Sequence, residues 1–155
     1  MKELTEYRAR LLERLAASAA EFRDACLAVS APFAPIDSGG WNVHQIAAHT
    51  RDVHCLVYGL RVRRTAEEDN PKFENFDGDA YMEEHYDAGE PLREMLDEFT
   101  ADVNALVEML KKLPAEAWSR ESRHDTLGSG FTLQRWVERG LAHIEEHLKT
   151  VGQNR

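Results

Sequence analysis

The fold class is indicated first by residues 91–113, which read PLREMLDEFTADVNALVEMLKKL. Large apolar side chains recur there every three or four positions, a spacing that places them on one face of an α-helix. They are Leu92, Leu96, Phe99, Val103, Leu106, Leu110 and Leu113. Proline is favoured in the first turn of a helix and disfavoured in its interior, so we expect Pro91 to begin this helix and Pro114 to end it.

Two similar segments precede this helix. The first carries apolar residues from Leu4 to Val29 and is expected to stop before the stretch Ala31-Pro32-Phe33-Ala34-Pro35, because each proline removes an amide donor. The second is expected to begin at Asn42, with Gln45 three residues later completing a capping box. Its predicted core-facing stripe is Ile46, His49, Val53, Leu56 and Leu60. A histidine therefore occupies a position predicted to face the core.

A fourth helix is predicted after residue 131. Thr132 is a suitable cap, and Val137, Leu141, Ile144, Leu148 and Val151 follow at helical spacing. Residues 65–90 are predicted to form a long acidic connector between the second and third helices, with a short helical turn near residues 81–85. The glycine-bearing stretch before Thr132 is predicted to form a loop or short hairpin. The sequence thus predicts an all-α protein, a four-helix bundle in a single domain spanning residues 1–155.

Composition narrows the possible partners. The chain has 155 residues and a formal net charge of -9. This charge disfavours nucleic acid, because a phosphate backbone is bound through cationic surface. The one basic cluster, residues 61–64, is interpreted as cations at a helix C-terminus, where the helix dipole favours them. No apolar run approaches the length of a membrane span or a signal peptide, so we expect a cytoplasmic protein without membrane contact.

Two histidines of the fourth helix indicate a metal site. His143 and His147 are four residues apart, so both rings project from the same side of the helix and can converge on one ion. The second helix contains His44, His49 and His54. Five positions rotate a side chain by about 140°, so we expect only one of these three to face the core. His49 lies on the apolar stripe and is the predicted third ligand.

Three histidine ligands with an open coordination position are typical of a catalytic zinc site. The alternative is that each imidazole finds a separate polar partner in the core, since an unpaired buried polar group costs about 1–3 kcal/mol. One shared cation satisfies all three rings, which favours the metal site.

Residues 143–147 also match H-x-x-E-H, a zinc-peptidase pattern in which the glutamate acts as a base. Only eight residues follow His147, too few for that family's downstream ligand. Glu146 is therefore either a base near the ion or part of a solvated helix face. Arg139, one turn before His143, either binds a substrate carboxylate or is exposed to solvent.

Two segments together resemble the DinB/YfiT-like superfamily. They are residues 41–49, WNVHQIAAH, and residues 142–148, AHIEEHL. Family members have a tryptophan before the second helix, a metal histidine about eight residues later, and a histidine pair on the last helix. His49, His143 and His147 match these positions, and Gly128-Ser129-Gly130 resembles the glycine-bearing stretch before that helix.

The resemblance implies one zinc, nickel or iron ion in a bundle that is often a homodimer. Relatives include S-transferases that use low-molecular-weight thiols, and many members have no known activity. Three hypotheses remain open for this chain: a metal-dependent thiol S-transferase, a metal-dependent hydrolase, or a non-catalytic metal-binding or interaction protein. Either enzyme would act on a small-molecule substrate. The same three ligands would serve both reactions.

Overall fold

A computed structural model describes residues 2–37 and 39–153. Its long helices are α1 (Lys2–Ala28), α5 (Leu92–Lys111), α6 (Leu133–Gly152), and a second helix of three consecutive parts. Those parts are α2 (Val43–Val53), a π-helical turn (His54–Tyr58) and α3 (Gly59–Glu67). The predicted four-helix bundle is confirmed.

The bundle core lies where the four long helices meet. α1 packs mainly against α5 and α6, and the second helix packs against the same two, so α1 and the second helix occupy opposite corners. The apolar stripe of α5 is buried as the sequence predicts, with Leu96, Phe99 and Val103 fully inaccessible to solvent. Phe22 of α1 meets Phe99 edge-on, with ring centroids 5.7 Å apart.

The predicted caps of the second and fourth helices are present. The Asn42 side chain accepts the backbone N–H of Gln45, and the Gln45 side chain accepts the backbone N–H of Asn42, which is the expected capping box. Thr132 caps α6 through the N–H of Arg135. Pro91 is the N-cap of α5, so the helix begins at Leu92, one residue later than predicted.

The π-helical turn changes which residues of the second helix face the core. The N–H of Gly59 bonds to the carbonyl of His54, an i→i+5 bond that shifts the later side chains by about one residue. Leu56 and Leu60 are therefore 42% and 41% exposed, and their predicted place in the core stripe is wrong. Val57 and Arg61 are buried in their stead.

The described segments between the long helices form a small sheet, one short α-helix and a 3₁₀-helical turn (Ala115–Ser119). The predicted connector contains β1 (Lys72–Phe73) and α4 (Gly78–His85), and the predicted hairpin is formed by β2 (Glu121–His124) and β3 (Gly128–Thr132). β2 lies between β1, which is parallel to it, and the antiparallel β3. The sheet brings residues of both connectors to one end of the second helix and α6. None of the described helices is both long and apolar enough to cross a membrane.

Candidate metal centre

Three histidines converge between the second helix and α6. The Nε2 atom of His143 lies 3.2 Å from Nε2 of His49 and 3.1 Å from Nε2 of His147. One ligand atom from each ring lies within 4.8 Å of the other two. α6 supplies two rings from adjacent turns and α2 supplies the third. The structure thus brings together the three residues that the sequence selected.

The arrangement of the nitrogens fits a divalent ion. Three nitrogens bound tetrahedrally to zinc at about 2.0–2.1 Å lie roughly 3.3–3.4 Å apart, close to the two separations of Nε2 of His143 from its neighbours. A neutral imidazole nitrogen offers either one proton or one lone pair. Nε2 of His143 therefore cannot donate a hydrogen bond to one neighbour and accept one from the other. A cation accepts lone pairs from all three rings.

The environment keeps these rings in the neutral form that binds metals. Burial, followed by repulsion from His147, lowers the pKa of His49 to about 4. Burial and the two neighbouring rings lower the pKa of His143 to about 3. The pKa of His147 is also lowered by burial, with a small opposing effect of Glu146. Near neutral pH all three rings are free of the extra proton that would block coordination.

The ring of His49 is held from two sides. The Trp41 ring lies 4.7 Å from it between centroids, tilted by 49°. On another side, a Cβ atom added to Gly78 would lie only 3.1 Å from Cε1 of His49. The tryptophan that precedes α2 and the first residue of α4 thus restrict the orientation of this imidazole.

The other two histidines of the second helix are buried, more deeply than His49, which is partly buried, and this corrects the expectation that only His49 would face inward. His44 is 1% exposed and His54 is 4% exposed. His44 contacts the hydroxyl of Tyr86 at 2.6 Å and the carbonyl of Glu90 at 2.7 Å. His54 contacts Asp102 at 2.6 Å. The prediction failed because α2 is covered on several sides, by α4 and the loop after it as well as by the bundle.

A cavity of about 220 Å³ opens beside the three-histidine cluster. His49 and His143 form part of its wall, together with aliphatic and aromatic side chains and two arginines. No described residue that lines it is acidic. The ring of Tyr58, the last residue of the π-helical turn, lies 5.7 Å from the ring of His143.

The two weaker site candidates differ in position. Arg139 lines the cavity, although its side chain remains exposed at the rim. Glu146 is exposed, as expected for a solvated helix face, and does not line the cavity. Arg139 therefore remains a candidate for contact with a substrate, whereas Glu146 is poorly placed to act there.

Sequence reasoning missed two residues of this cavity, Arg61 and His124. The sequence predicts residues 61–64 to be cations at a helix C-terminus and gives no ligand role to Arg61, yet Arg61 is only 7% exposed and lines the cavity. His124, on β2, is 5% exposed and lines the same wall. The only sequence feature that could have indicated burial of Arg61 is its position next to the apolar Val62 in a helix, and this is a weak indication. The position of His124 depends on the sheet, which helical periodicity does not predict.

Comparison with known proteins places the fold in a family. A model of the DinB superfamily matches residues 3–151. The chain belongs to the DinB superfamily. This confirms the resemblance carried by the tryptophan and histidine motifs.

A solved structure with a similar fold is YfiT from Bacillus subtilis, described as a probable metal-dependent hydrolase with an unusual four-helix bundle topology. The two structures superimpose with a TM-score of 0.85 at 21% sequence identity, covering 96% of this chain and 85% of YfiT. At this identity the likeness establishes the fold. No curated protein matches the sequence.

Proposed function

We propose that this DinB-superfamily chain is a metal-dependent enzyme that transfers a low-molecular-weight thiol to a small electrophile. The observation that carries the proposal is the convergence of the Nε2 atoms of His49, His143 and His147, beside a cavity that His49 and His143 line. Three protein ligands leave one position of a tetrahedral ion for an exogenous group. A divalent ion in this place would supply a Lewis acid that lowers the pKa of a thiol.

The absence of an acidic side chain from the described cavity wall favours thiol chemistry. Activation of water commonly uses a positioned base, and the carboxylate adjacent to His147, that of Glu146, is exposed and outside the cavity. A thiol whose pKa is lowered ionises near neutral pH without such a base. In the transfer, the sulfur forms a bond to the electrophilic carbon, the leaving group departs with its bonding electron pair, and the thiol proton passes to solvent.

The residues of the chain would hold the reactants rather than exchange protons with them. Trp41 and Gly78 fix the ring of His49. Tyr58 and the aliphatic residues that line the cavity would limit the access of water from one side. Zinc, nickel and iron all accept imidazole ligands, so the three histidines are compatible with each of these ions.

Spectroscopy of a cobalt-substituted sample tests this function. Bacillithiol, mycothiol and glutathione are added separately, and at least one should change the cobalt absorption spectrum. The thiol that does so should then react faster with a simple electrophile in the presence of the loaded protein, and His147→Ala should abolish the acceleration. Unchanged spectra with all three thiols would contradict the thiol mechanism.

A metal-dependent hydrolase is the second candidate, favoured by the description of YfiT as a probable metal-dependent hydrolase. In that case the loaded protein should hydrolyse a chromogenic ester or amide with a rate that depends on His147 and is unaffected by added thiol. If neither reaction occurs while the protein retains its metal, the remaining hypothesis is a non-catalytic metal-binding protein.

A further inference from the structure

The side chain of Arg61 is buried beside the candidate metal centre without a carboxylate partner. Its Nη2 atom donates to the carbonyl of Glu74 at 3.0 Å, and its guanidinium lies 4.7 Å from the ring centroid of Trp136. Among the residues that the structure describes, no carboxylate oxygen lies within 4.0 Å of an Arg61 nitrogen. A buried cation without a counter-ion is costly unless some other group compensates it. Burial accordingly lowers the pKa of Arg61.

Arg61 is held rigidly, which distinguishes it from a mobile surface arginine. Trp136 is fully buried, and its indole N–H donates to the hydroxyl of Ser122 at 2.7 Å. That hydroxyl donates in turn to the carbonyl of Phe131 at 2.8 Å. The aromatic surface that supports the guanidinium is therefore fixed to the hairpin, and the remaining donors of Arg61 keep a constant orientation.

His124 adds a neutral donor to the same cavity wall. Its Nδ1 atom accepts the backbone N–H groups of Thr126 and Leu127, each at 3.1 Å. A nitrogen that accepts two amide hydrogens carries no proton, so the proton of this ring lies on Nε2. Burial, with the nearby Arg61 and Arg139, also lowers the pKa of His124 and favours the neutral ring, against the opposing effect of the Asp125 carboxylate 3.3 Å from Nδ1. Nε2 of His124 is thus a hydrogen-bond donor.

Arg139 supplies a second guanidinium at the rim of the cavity. It lies on α6 one turn before His143, and its Cζ atom is 5.7 Å from the ring centroid of Phe131. Two cations and one neutral donor therefore share a cavity whose described wall contains no acidic residue, in a chain with a net charge of -9. Local positive charge in an acidic protein selects anions from solution.

We propose that Arg61 and Arg139, with the Nε2–H of His124, bind a carboxylate group of the small molecule that occupies this cavity. The planar fork of a guanidinium matches a carboxylate, and a buried Arg61 gains from it the counter-ion that the protein does not provide. The rest of the wall includes Val53, Val57 and Leu127, which suits a short hydrocarbon chain attached to the carboxylate. That the ligand takes part in the reaction rests on the proposed function, whereas the binding of its carboxylate does not.

The carboxylate belongs either to the thiol or to the second substrate. Binding of a simple carboxylate tests both cases together, and a comparison of two thiols then shows whether the thiol or the electrophile carries the carboxylate. If the thiol carries it, 3-mercaptopropionate should perturb the cobalt-substituted protein at lower concentration than 3-mercapto-1-propanol. If the electrophile carries it, the two thiols should behave alike while butyrate still binds.

The primary test compares butyrate with butyramide, its neutral counterpart, by ligand-observed NMR titration of the zinc-loaded and the metal-free protein. Butyrate should bind both forms, roughly 10-fold more tightly than butyramide, because charge-assisted hydrogen bonds are stronger than neutral ones. Arg139→Met should weaken butyrate binding about 5-fold. Arg135→Met is the matched control, because Arg135 lies one turn earlier on α6, with its Cζ atom 4.2 Å from the same Phe131 ring, and does not line the cavity. It should have no effect.

Several results would overturn the carboxylate site. One is equal affinity for butyrate and butyramide, and another is an equal loss of butyrate affinity in Arg139→Met and Arg135→Met. The others are tighter binding of inorganic phosphate than of butyrate, and binding of butyrate only to the zinc-loaded protein. Arg61→Met should abolish the preference for butyrate over butyramide. If this variant does not fold, it is replaced in the test by Arg61→Lys, which keeps the positive charge. Zinc content, measured in the same samples, reports separately whether the metal centre exists.

Discussion

Gly78, the first residue of α4, lies directly against the imidazole of His49: a Cβ atom at this position would be 3.1 Å from Cε1 and 3.6 Å from Nδ1 of the ring. The first of these distances is shorter than an ordinary van der Waals contact. The backbone of the connector thus approaches a candidate metal ligand more closely than a larger residue would allow without a shift of the imidazole ring. The connector, which also adds Phe73 and Met82 to the core, contributes in this way to the orientation of the site.

Gly78→Ala should therefore weaken metal binding while leaving the fold intact. The added methyl group would displace the His49 ring by a few tenths of an ångström, and disturbance of groups that orient a ligand typically costs about 10-fold in affinity or more. Alanine is otherwise a better helix former than glycine, so the melting temperature of the metal-free protein should not fall. Competition with a zinc chelator measures the affinity. Gly152→Ala is the control and should bind zinc like the wild type, because its Cβ atom would meet no atom of the described residues outside its own stretch of helix within 4 Å.

Removal of a single candidate ligand should lower metal occupancy sharply. His49→Ala, His143→Ala and His147→Ala each delete one of three converging nitrogens, and elemental analysis of the purified proteins measures the loss. The variants should keep their helical circular dichroism, because the apolar stripes form a core without the ion. Equal metal content in the wild type and the triple variant would refute the metal site.

Substitution of the two buried histidines outside the cluster should lower stability and leave metal binding unchanged. His44→Ala removes the contacts to Tyr86 and Glu90, and His54→Ala removes the contact to Asp102. Each should lower the free energy of unfolding by about 1–3 kcal/mol, since buried polar partners lose their hydrogen bonds. Metal content per folded molecule should stay at the wild-type level. A specific loss of metal in either variant would show that the ligand set includes the altered residue.

The fold was predictable where local spacing decides it, and less so where tertiary contacts do. α5 and α6 follow from their apolar periodicity, and the pair His143 and His147 follows from the geometry of one helix. The π-helical turn was not predictable from period, because one extra residue changes which face is buried. A Cβ atom at Gly59 would lie 2.8 Å from the carbonyl of His54, so this glycine permits the turn, yet glycines also occur in regular α-helices, where they mark no such turn.

The candidate site shows the same division. The argument that selected His49 was incomplete, since His44 and His54 also face inward, and the structure places His49 beside His143 and His147. His49 differs from the other two histidines because it faces α6. The apolar spacing within one helix does not predict which other helix will pack against it. Arg61 and His124 meet only because a hairpin far along the chain packs against the second helix.

The homodimer remains a prediction from the family resemblance. Light scattering at micromolar concentration should give a mass of about twice that of the chain. A monomer at that concentration would contradict the dimer and would leave the fold and the histidine cluster unaffected. The predicted cytoplasmic location has its own measurement, by cell fractionation.

Asp102→Asn should reveal a pH-dependent contribution to stability from the second helix and α5. Asp102 contacts His54 at 2.6 Å and accepts a hydrogen bond from Arg63 at 3.1 Å. The hydrogen bond with His54, together with that from Arg63, lowers the pKa of Asp102 from its ordinary 3.8 to about 2. The folded state thus binds this proton less readily than the unfolded state. The stabilisation is complete above about pH 4 and is lost as the pH falls towards 2.

Urea denaturation of metal-free wild type and Asp102→Asn at pH 6, 4, 3 and 2 measures this effect. Because the Asp102 side chain is still 31% exposed, solvent screening reduces the expected difference in unfolding free energy at pH 6 to roughly 1 kcal/mol. Asparagine does not ionise, so the difference should shrink below pH 4. Asp97→Asn is the control on the same helix: Asp97 forms an exposed pair with Arg23, and its loss should change stability little at any pH. A difference between wild type and Asp102→Asn that stays constant from pH 6 to 2 would show that the Asp102 charge does not stabilise the fold.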